Sequence, residues 1–286
     1  MPMSQWARQK LTRSWWLFSE LLGRVDAWNA AGEFTAEVQV LADRTALEFL
    51  TPAGFRPPVS EWALLVGDAV HNARSALDAE IWHLAHRDDG KPTNPTRVAF
   101  PVTSDARAWV NSIKALETVS AESLERARLA QPWVDSPAAP DQHWLSILSR
   151  LDNDDKHRGR VVAVPLQEGL SLAFDGLSLG DPLPEGGYLH IWGSGLDGTE
   201  AAGTAFARFG LGALINGTKI EAGTVSVRLA PAVSVLDQLI PVAALQAEML
   251  PYLRGLLDEV GGDGPLHEAT ILPDRFEPDA PPPQGR

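Results

Sequence analysis

Two short stretches of this 286-residue chain gather side chains able to move protons or grip an anion. The first is GDAVHNARSALDAEIWHLAHRD, residues 67–88. Here Asp68, His71, Asn72, Arg74, Ser75, Asp78, Trp82 and His86 stand where a solvent-facing helix carries Lys, Glu and Gln. The second is WLSILSRLDNDDKHRGRV, residues 144–161, which holds Arg150, Asp154, Asp155, His157 and Arg158. Short polar groups beside a Trp suit a second packed interface or a functional site, where each polar atom must find a partner. Asp78 follows Arg74 by four residues, a spacing that allows an ion pair on one helix.

The same residues admit a metal. Asp68–His71 and Asp154–His157 each present carboxylate and imidazole at i, i+3, and two such helices can share a divalent transition metal. That set is the alternative to cofactor-free chemistry. A calcium loop is excluded, because Lys156 takes a ligand position of DNDDKHRG and the Gly and Glu of the twelve-residue loop are missing. GSGLDG at 193–198 lacks the strand–helix setting of a dinucleotide loop. No Walker motif and no Gly-x-Ser-x-Gly elbow occurs. With no cysteine there is no thiol nucleophile, disulfide or iron–sulfur cluster. Trp62, Trp82, Trp109, Trp133, Trp144 and Trp192 read as core or pocket wall before they read as a stacking platform for bases.

The elements that must position these groups follow from periodicity. On a helical wheel, Leu65, Val66, Ala69, Val70, Ala73, Ala76, Leu77, Ile81 and Leu84 form one broad face suited to close packing. Asp68, His71, Ser75, Asp78, Trp82 and His86 fall within about 80° on the other side. Three readings fit that stripe: a solvated face, a structural polar network, or a functional site. In the second stretch Leu145, Leu148 and Leu151 mark an apolar face. If the helix continues, Asp155 and Arg158 enter that face, and Asp155, His157 and Arg158 then need partners, for which the 68–86 stripe is the natural one. If it ends at Asp152–Asn153, they are surface turn residues.

Around them, residues 9–31 have helical spacing, and 33–41 with 45–50 alternate like a β-hairpin. Ser104 or Asp105 is placed to cap a helix through Val119, and Ser120 one through Leu129. After Arg160 come short, Gly-punctuated, alternating segments that read as four or five antiparallel strands. Residues 236–260 return to helical spacing with a kink expected at Pro251. The fold expected is α+β: a helical bundle with an N-terminal β-hairpin and a small antiparallel sheet in the C-terminal half. The organisation expected is a mainly helical domain over 1–160 with the hairpin at 33–51, strands and a closing helix over 161–262, and a loosely ordered tail over 263–286.

The formal net charge of −13 disfavours a broad nucleic-acid footprint and leaves room for a small, locally basic site. The basic residues near the N-terminus precede an apolar patch, Trp15 to Phe18, that Ser19 and Glu20 cut short. A signal peptide needs about 7–15 apolar residues, so this segment reads as an amphipathic helix. No stretch approaches the roughly 20 apolar residues of a membrane span. The expected location is cytoplasmic, with no membrane partner.

HNARSALD and DKHR together resemble motifs of a group of uncharacterised bacterial proteins, over residues 59–160. More loosely, the pattern resembles the HEPN superfamily of helical bundles, which includes metal-independent ribonucleases, toxins and defence effectors. Its motif is an Arg, four to six residues, then a His; Arg150 and His157 fit with six between. The resemblance implies that His157 acts as acid or base at a ribose 2′-hydroxyl or leaving oxygen, and that Arg150 steadies the phosphate, with Arg158 and Arg74 in support. It implies RNA or a nucleotide as partner, no cofactor, and a homodimer as the assembly to test. A candidate centre follows from His71, Arg74 and Asp78 meeting Asp155, His157 and Arg158. Two other functions stay open: a metal-dependent or small-molecule-binding bundle enzyme, and a non-enzymatic protein with a structural polar core.

Overall fold

The computed structural model describes residues 3–31, 37–41, 46–51, 55–87, 90–158, 163–173, 188–191, 203–210, 224–236 and 238–262. The fold is α+β, as the periodicities require. Contacts divide the chain into two discontinuous units rather than at one point after residue 160. One comprises Met1–Leu21, Ala63–Val161 and Val235–Arg286; the other comprises Leu22–Trp62 and Val162–Ser234. The tail at 263–286 lies outside the described residues.

The helical unit is built on α1 (Gln5–Ala31) and α2 (Val59–His86), which continue into the second unit. Ser4 caps α1: its hydroxyl accepts the Ala7 N–H at 3.2 Å, and its own N–H donates to Glu80 Oε2 at 2.7 Å. This is a capping box whose acid comes from another helix. The Ala-rich face of α2 is the core side. Val66, Ala69, Val70, Ala73, Ala76, Leu77 and Ile81 are fully buried, and short side chains there let neighbouring helices approach closely.

Asp105 caps α3 (Ala106–Ser112) through a bond from Ala108 N, and Ser120 caps α4 (Ala121–Leu129) through Ser123 N. The helix expected through Val119 stops earlier, its last turn tightening into a 3-10 turn at Ile113–Ala115. The Pro-rich segment expected as a loop holds a single helical turn, α5 (Pro132–Asp135).

Next comes α6 (Trp144–Arg158), which runs through Asp152–Asn153 without a break. His143 sits at its N-cap. The His143 carbonyl accepts Ile147 N–H at 3.0 Å, and its Nδ1 accepts Leu145 N–H at 3.2 Å. Nε2 lies 3.1 Å from Asp135 Oδ2 and 3.2 Å from the Tyr252 hydroxyl. Burial pushes the His143 pKa down, against the opposing pull of Asp135. A second proton would also set Nδ1–H against the Leu145 N–H.

The segment expected as one helix over 236–260 is composite. It opens as a short strand at Gln238–Pro241, then turns helical at Val242–Ala244. Leu245–Met249 widens into a π turn in which Leu250 N–H bonds Leu245 O, five residues back, before the helix Leu250–Gly261. Pro251 explains the position of the wide turn. It has no N–H for the carbonyl four residues earlier, and its ring needs the extra room.

In the second unit β1 (Glu37–Val40) and β2 (Ala46–Leu50) form the expected antiparallel hairpin. It does not stand apart from the C-terminal strands. β2 also pairs antiparallel with β5 (Ala205–Gly210), and β5 with β4 (Tyr188–Ile191), giving the order β1–β2–β5–β4. Glu48 faces Arg208 across the β2–β5 ladder and accepts from its Nε at 3.1 Å. β3 (Ala163–Ala173) and β6 (Thr224–Val235) make a second antiparallel ladder, with a register shift between Gln167 and Gly169.

Candidate functional site

Asp152 belongs to the apolar stripe of α6. It follows Leu145 by seven and Leu148 by four, and both leucines are fully buried. The Asp152 carboxylate is accordingly buried, its side chain 5% exposed. It meets the polar stripe of α2: His71 Nδ1 lies 3.2 Å from Asp152 Oδ1. The His71 side chain is 50% exposed, so its ring is anchored on a buried carboxylate while half of the side chain stays open to solvent. Nδ1–H donating to Asp152 leaves the neutral ring's lone pair on Nε2. The Ser75 hydroxyl, one turn along α2, stands 3.4 Å from that nitrogen, a long contact.

The helices are held together one turn away by Gly67 and Asp155. A Cβ built on Gly67 would overlap Asp155 Oδ1 and stand 3.0 Å from its Cγ. The missing side chain lets the carboxylate lie against the α2 backbone. Asp155 thus lies against α2 at a glycine outside the 68–86 polar stripe.

Arg74 and Asp78 form the ion pair their spacing allows, at 3.0 Å. Both are also bound to the backbone of one residue of the 98–103 segment, Phe100. Arg74 Nη2 donates to Phe100 O at 2.7 Å, and Phe100 N–H donates to Asp78 Oδ1 at 2.9 Å. The pair thus clamps the extended segment to α2, and Phe100 is buried beneath it. Arg74 Nη1 is buried without a hydrogen-bond partner among the described residues. Asn72 turns back to bond Asp68 O at 2.8 Å.

Arg150 is an exposed residue whose Nη2 bonds Asp141 Oδ1 at 2.6 Å. Position 157 is two turns further along the same helix, about 20° away around its axis, whereas position 152 is about 160° from 150. Arg150 and Asp152 therefore occupy opposite sides of α6. The side chains of His157 and Arg158 lie outside the described residues. Of the expected centre, the structure brings His71 to α6 and Asp155 to α2, and assigns Arg74 and Asp78 to the clamp.

Among the described residues no three His, Asp or Glu side chains form a group able to hold a metal ion. In the alternative metal set, Asp68 is exposed and His71 Nδ1 faces Asp152; His157 is outside the described residues. Among the described residues no helix is long and apolar enough to cross a membrane.

Asp152 is the site residue that sequence reasoning missed. The signal was present: a carboxylate at i+7 and i+4 from two leucines falls on the apolar stripe once the helix is allowed to continue. Ser75 was counted in the polar stripe but given no role. No protein-family model matches the chain, and comparison with curated proteins and with solved structures found no match either.

Proposed function

We propose that the chain is a metal-independent acid–base enzyme acting on a phosphodiester of RNA or a nucleotide, with His71 as its proton-transfer group. One observation carries the reading: a half-exposed imidazole whose Nδ1 is held by a buried carboxylate, Asp152, at 3.2 Å. A general base needs a reachable ring and a fixed tautomer, and a half-exposed imidazole bonded to a buried carboxylate supports that reading. In the reaction, His71 Nε2 takes the proton of a ribose 2′-hydroxyl. The 2′-oxygen attacks the adjacent phosphorus, and the P–O5′ bond breaks. The leaving 5′-oxygen takes a proton from a second acid or from water, giving a 2′,3′-cyclic phosphate and a 5′-hydroxyl. Asp152 is a positioning residue in this scheme. The phosphodiester itself comes from the HEPN-like spacing, which assigns the acid–base role to His157 and the phosphate to Arg150.

The test is cleavage of a labelled single-stranded RNA in excess EDTA. His71→Ala is expected to lower the rate by about 10²–10⁴-fold, the usual worth of a general base. Asp152→Asn is expected to lower kcat with KM little changed, because it disturbs the tautomer and not substrate binding. If His157→Ala abolishes cleavage while His71→Ala leaves it intact, the chemistry belongs to the outer face of α6. No cleavage by the wild-type chain, or cleavage indifferent to both changes, removes the reading. The clamp at Phe100 favours a purely structural part for Arg74 and Asp78.

A further inference from the structure

Beyond His71, the polar stripe of α2 runs on to Trp82 and His86. Residue 82 is eleven after residue 71, about 16 Å along the helix and about 20° around it, so both lie on one face. At that end a cleft of about 710 Å³ opens between the last turns of α2 and the first turn of α1. Trp6, Gln9, Trp82, His83, His86 and Arg87 are among the residues that line it. The volume lies within the range of small-ligand sites, about 300–1,000 Å³.

Two features mark this cleft out. Trp6 and Trp82 are 59% and 45% exposed, whereas Trp62 and Trp109 are 1% and 5% exposed in the core. Exposing two indoles in one cleft leaves apolar area in water that burial would otherwise stabilise. The second feature is charge. The described lining residues include His83, His86 and Arg87 and no Asp or Glu, in a chain of net charge −13. Lys10 adds a further cation, its Nζ 5.4 Å from the centroid of the Trp6 ring. Glu80, the nearby acid of α2, is turned inward, 1% exposed and bonded to Ser4 N. That bond also fixes the start of α1, and with it Trp6, against α2. On the other wall His86 stacks on Trp82 at 4.1 Å between centroids and donates from Nδ1 to Trp82 O at 2.9 Å. The walls are therefore preset.

Aromatic faces beside cations suit a ligand that is itself a flat ring carrying a phosphate. We infer that the cleft binds a nucleotide unit, its base stacked on the indoles of Trp6 and Trp82 and its phosphate held by Arg87, His83 and Lys10. The inference stands on the cleft. It rests on the proposed function only in that a base held here would place an RNA strand along the stripe toward His71. A free nucleotide and one unit of a single-stranded RNA share this chemistry.

The test is calorimetric binding to the full His71→Ala chain, so that turnover does not consume the probe. AMP, adenosine and an adenosine octaribonucleotide are titrated separately. AMP or the octamer is expected to bind. Trp6→Ala and Trp82→Ala are each expected to weaken binding about ten-fold, the effect of losing one base–aromatic stack of about 1.4 kcal/mol. Trp→Phe at either position should restore most of it, and Arg87→Ala should weaken AMP but not adenosine. Binding of AMP marks a free-nucleotide site; binding of the octamer alone marks a strand site. Failure of both to bind overturns the inference. So does binding unchanged in both Trp→Ala variants, or adenosine binding as tightly as AMP. An unchanged melting temperature in the variants, expected for exposed tryptophans, excludes misfolding as the cause of a loss. Because binding is read without cleavage, a failure here is distinct from failure of the His71 chemistry.

Discussion

Gly67→Ala probes the seam that brings His71 to Asp152. In an ordinary helix interior, alanine is more favourable than glycine by about 0.8–1.0 kcal/mol. Position 67 lies within the 28-residue α2, so propensity alone predicts a gain. The structure predicts no such gain. The new methyl would overlap Asp155 Oδ1 and press on Cγ at 3.0 Å, so the carboxylate must swing off the α2 backbone or the helices must part. Swinging the end of the half-buried Asp155 side chain lies at the low end of the about 1–3 kcal/mol that overpacking costs. The net expectation is that the gain is cancelled or slightly reversed, by about 0–1 kcal/mol, with a fall of a few degrees at most in melting temperature at about 2–4 °C per kcal/mol. The decisive comparison is the same change in an Asp155→Ala background, where the obstacle is gone and the gain of about 1 kcal/mol should reappear. Thermal and urea unfolding of the four chains give the coupling energy directly, expected at about 1–2 kcal/mol. If Gly67→Ala stabilises both backgrounds equally, Asp155 does not lie on α2. The placement of Asp152 beside His71, one turn along each helix, would then lose its support.

Asp78→Ala should cost about 1–3 kcal/mol in urea unfolding, since it leaves Phe100 N and the Arg74 guanidinium without their acceptor; a change under about 0.5 kcal/mol would mean that the clamp carries no stability. The His143 pKa is depressed in the folded chain, chiefly by burial, so the unfolded chain binds the extra proton more readily. Its contribution is thus fully present above the ordinary histidine pKa and is lost as pH falls through the depressed folded value. Melting temperature should drop across that acid window, and His143→Gln should flatten the drop; identical pH profiles would contradict this. Asp152→Leu should leave the melting temperature unchanged or raised while removing His71-dependent cleavage. A collapse in stability would make the carboxylate structural.

How far the sequence reached depended on whether a signal was periodic or conditional. The two faces of α2 were legible because 28 residues average out local noise, and the apolar side is buried just as the 3.6-residue spacing demands. Capping at Asp105 and Ser120 was legible because each acceptor precedes its helix. The partner of His71 was conditional on where α6 ends. With the helix stopped at Asp152, that residue is a turn acid; with the helix continued to Arg158, it is a buried one. The i, i+4 spacing of Arg74 and Asp78 allows the ion pair that they form. Nothing local reveals that their other bonds go to the Phe100 backbone, a long-range contact. The hairpin was legible from alternation, but its pairing with β5, some 160 residues on, was not. Trp82 resembled its buried counterparts in composition, and only its exposure separates it from them.

The placement of Asp152 bears on whether the stripe of α2 is scaffold or site. Replacing a buried charge by an apolar residue of similar size is often neutral or stabilising, so a carboxylate among buried leucines is weak evidence for stability. A protein needing only helix packing gains little from it. The neighbouring clamp shows how the chain fixes register when that is the need: Arg74 and Asp78 bind the carbonyl and the N–H of Phe100, and these bonds close on the protein itself. The His71–Asp152 pair is built the other way. Its anchored nitrogen faces the interior, and half of the imidazole remains open to solvent. An acid buried to hold one edge of an exposed ring contributes orientation more than stability, and orientation of an imidazole is useful where its other nitrogen meets a substrate.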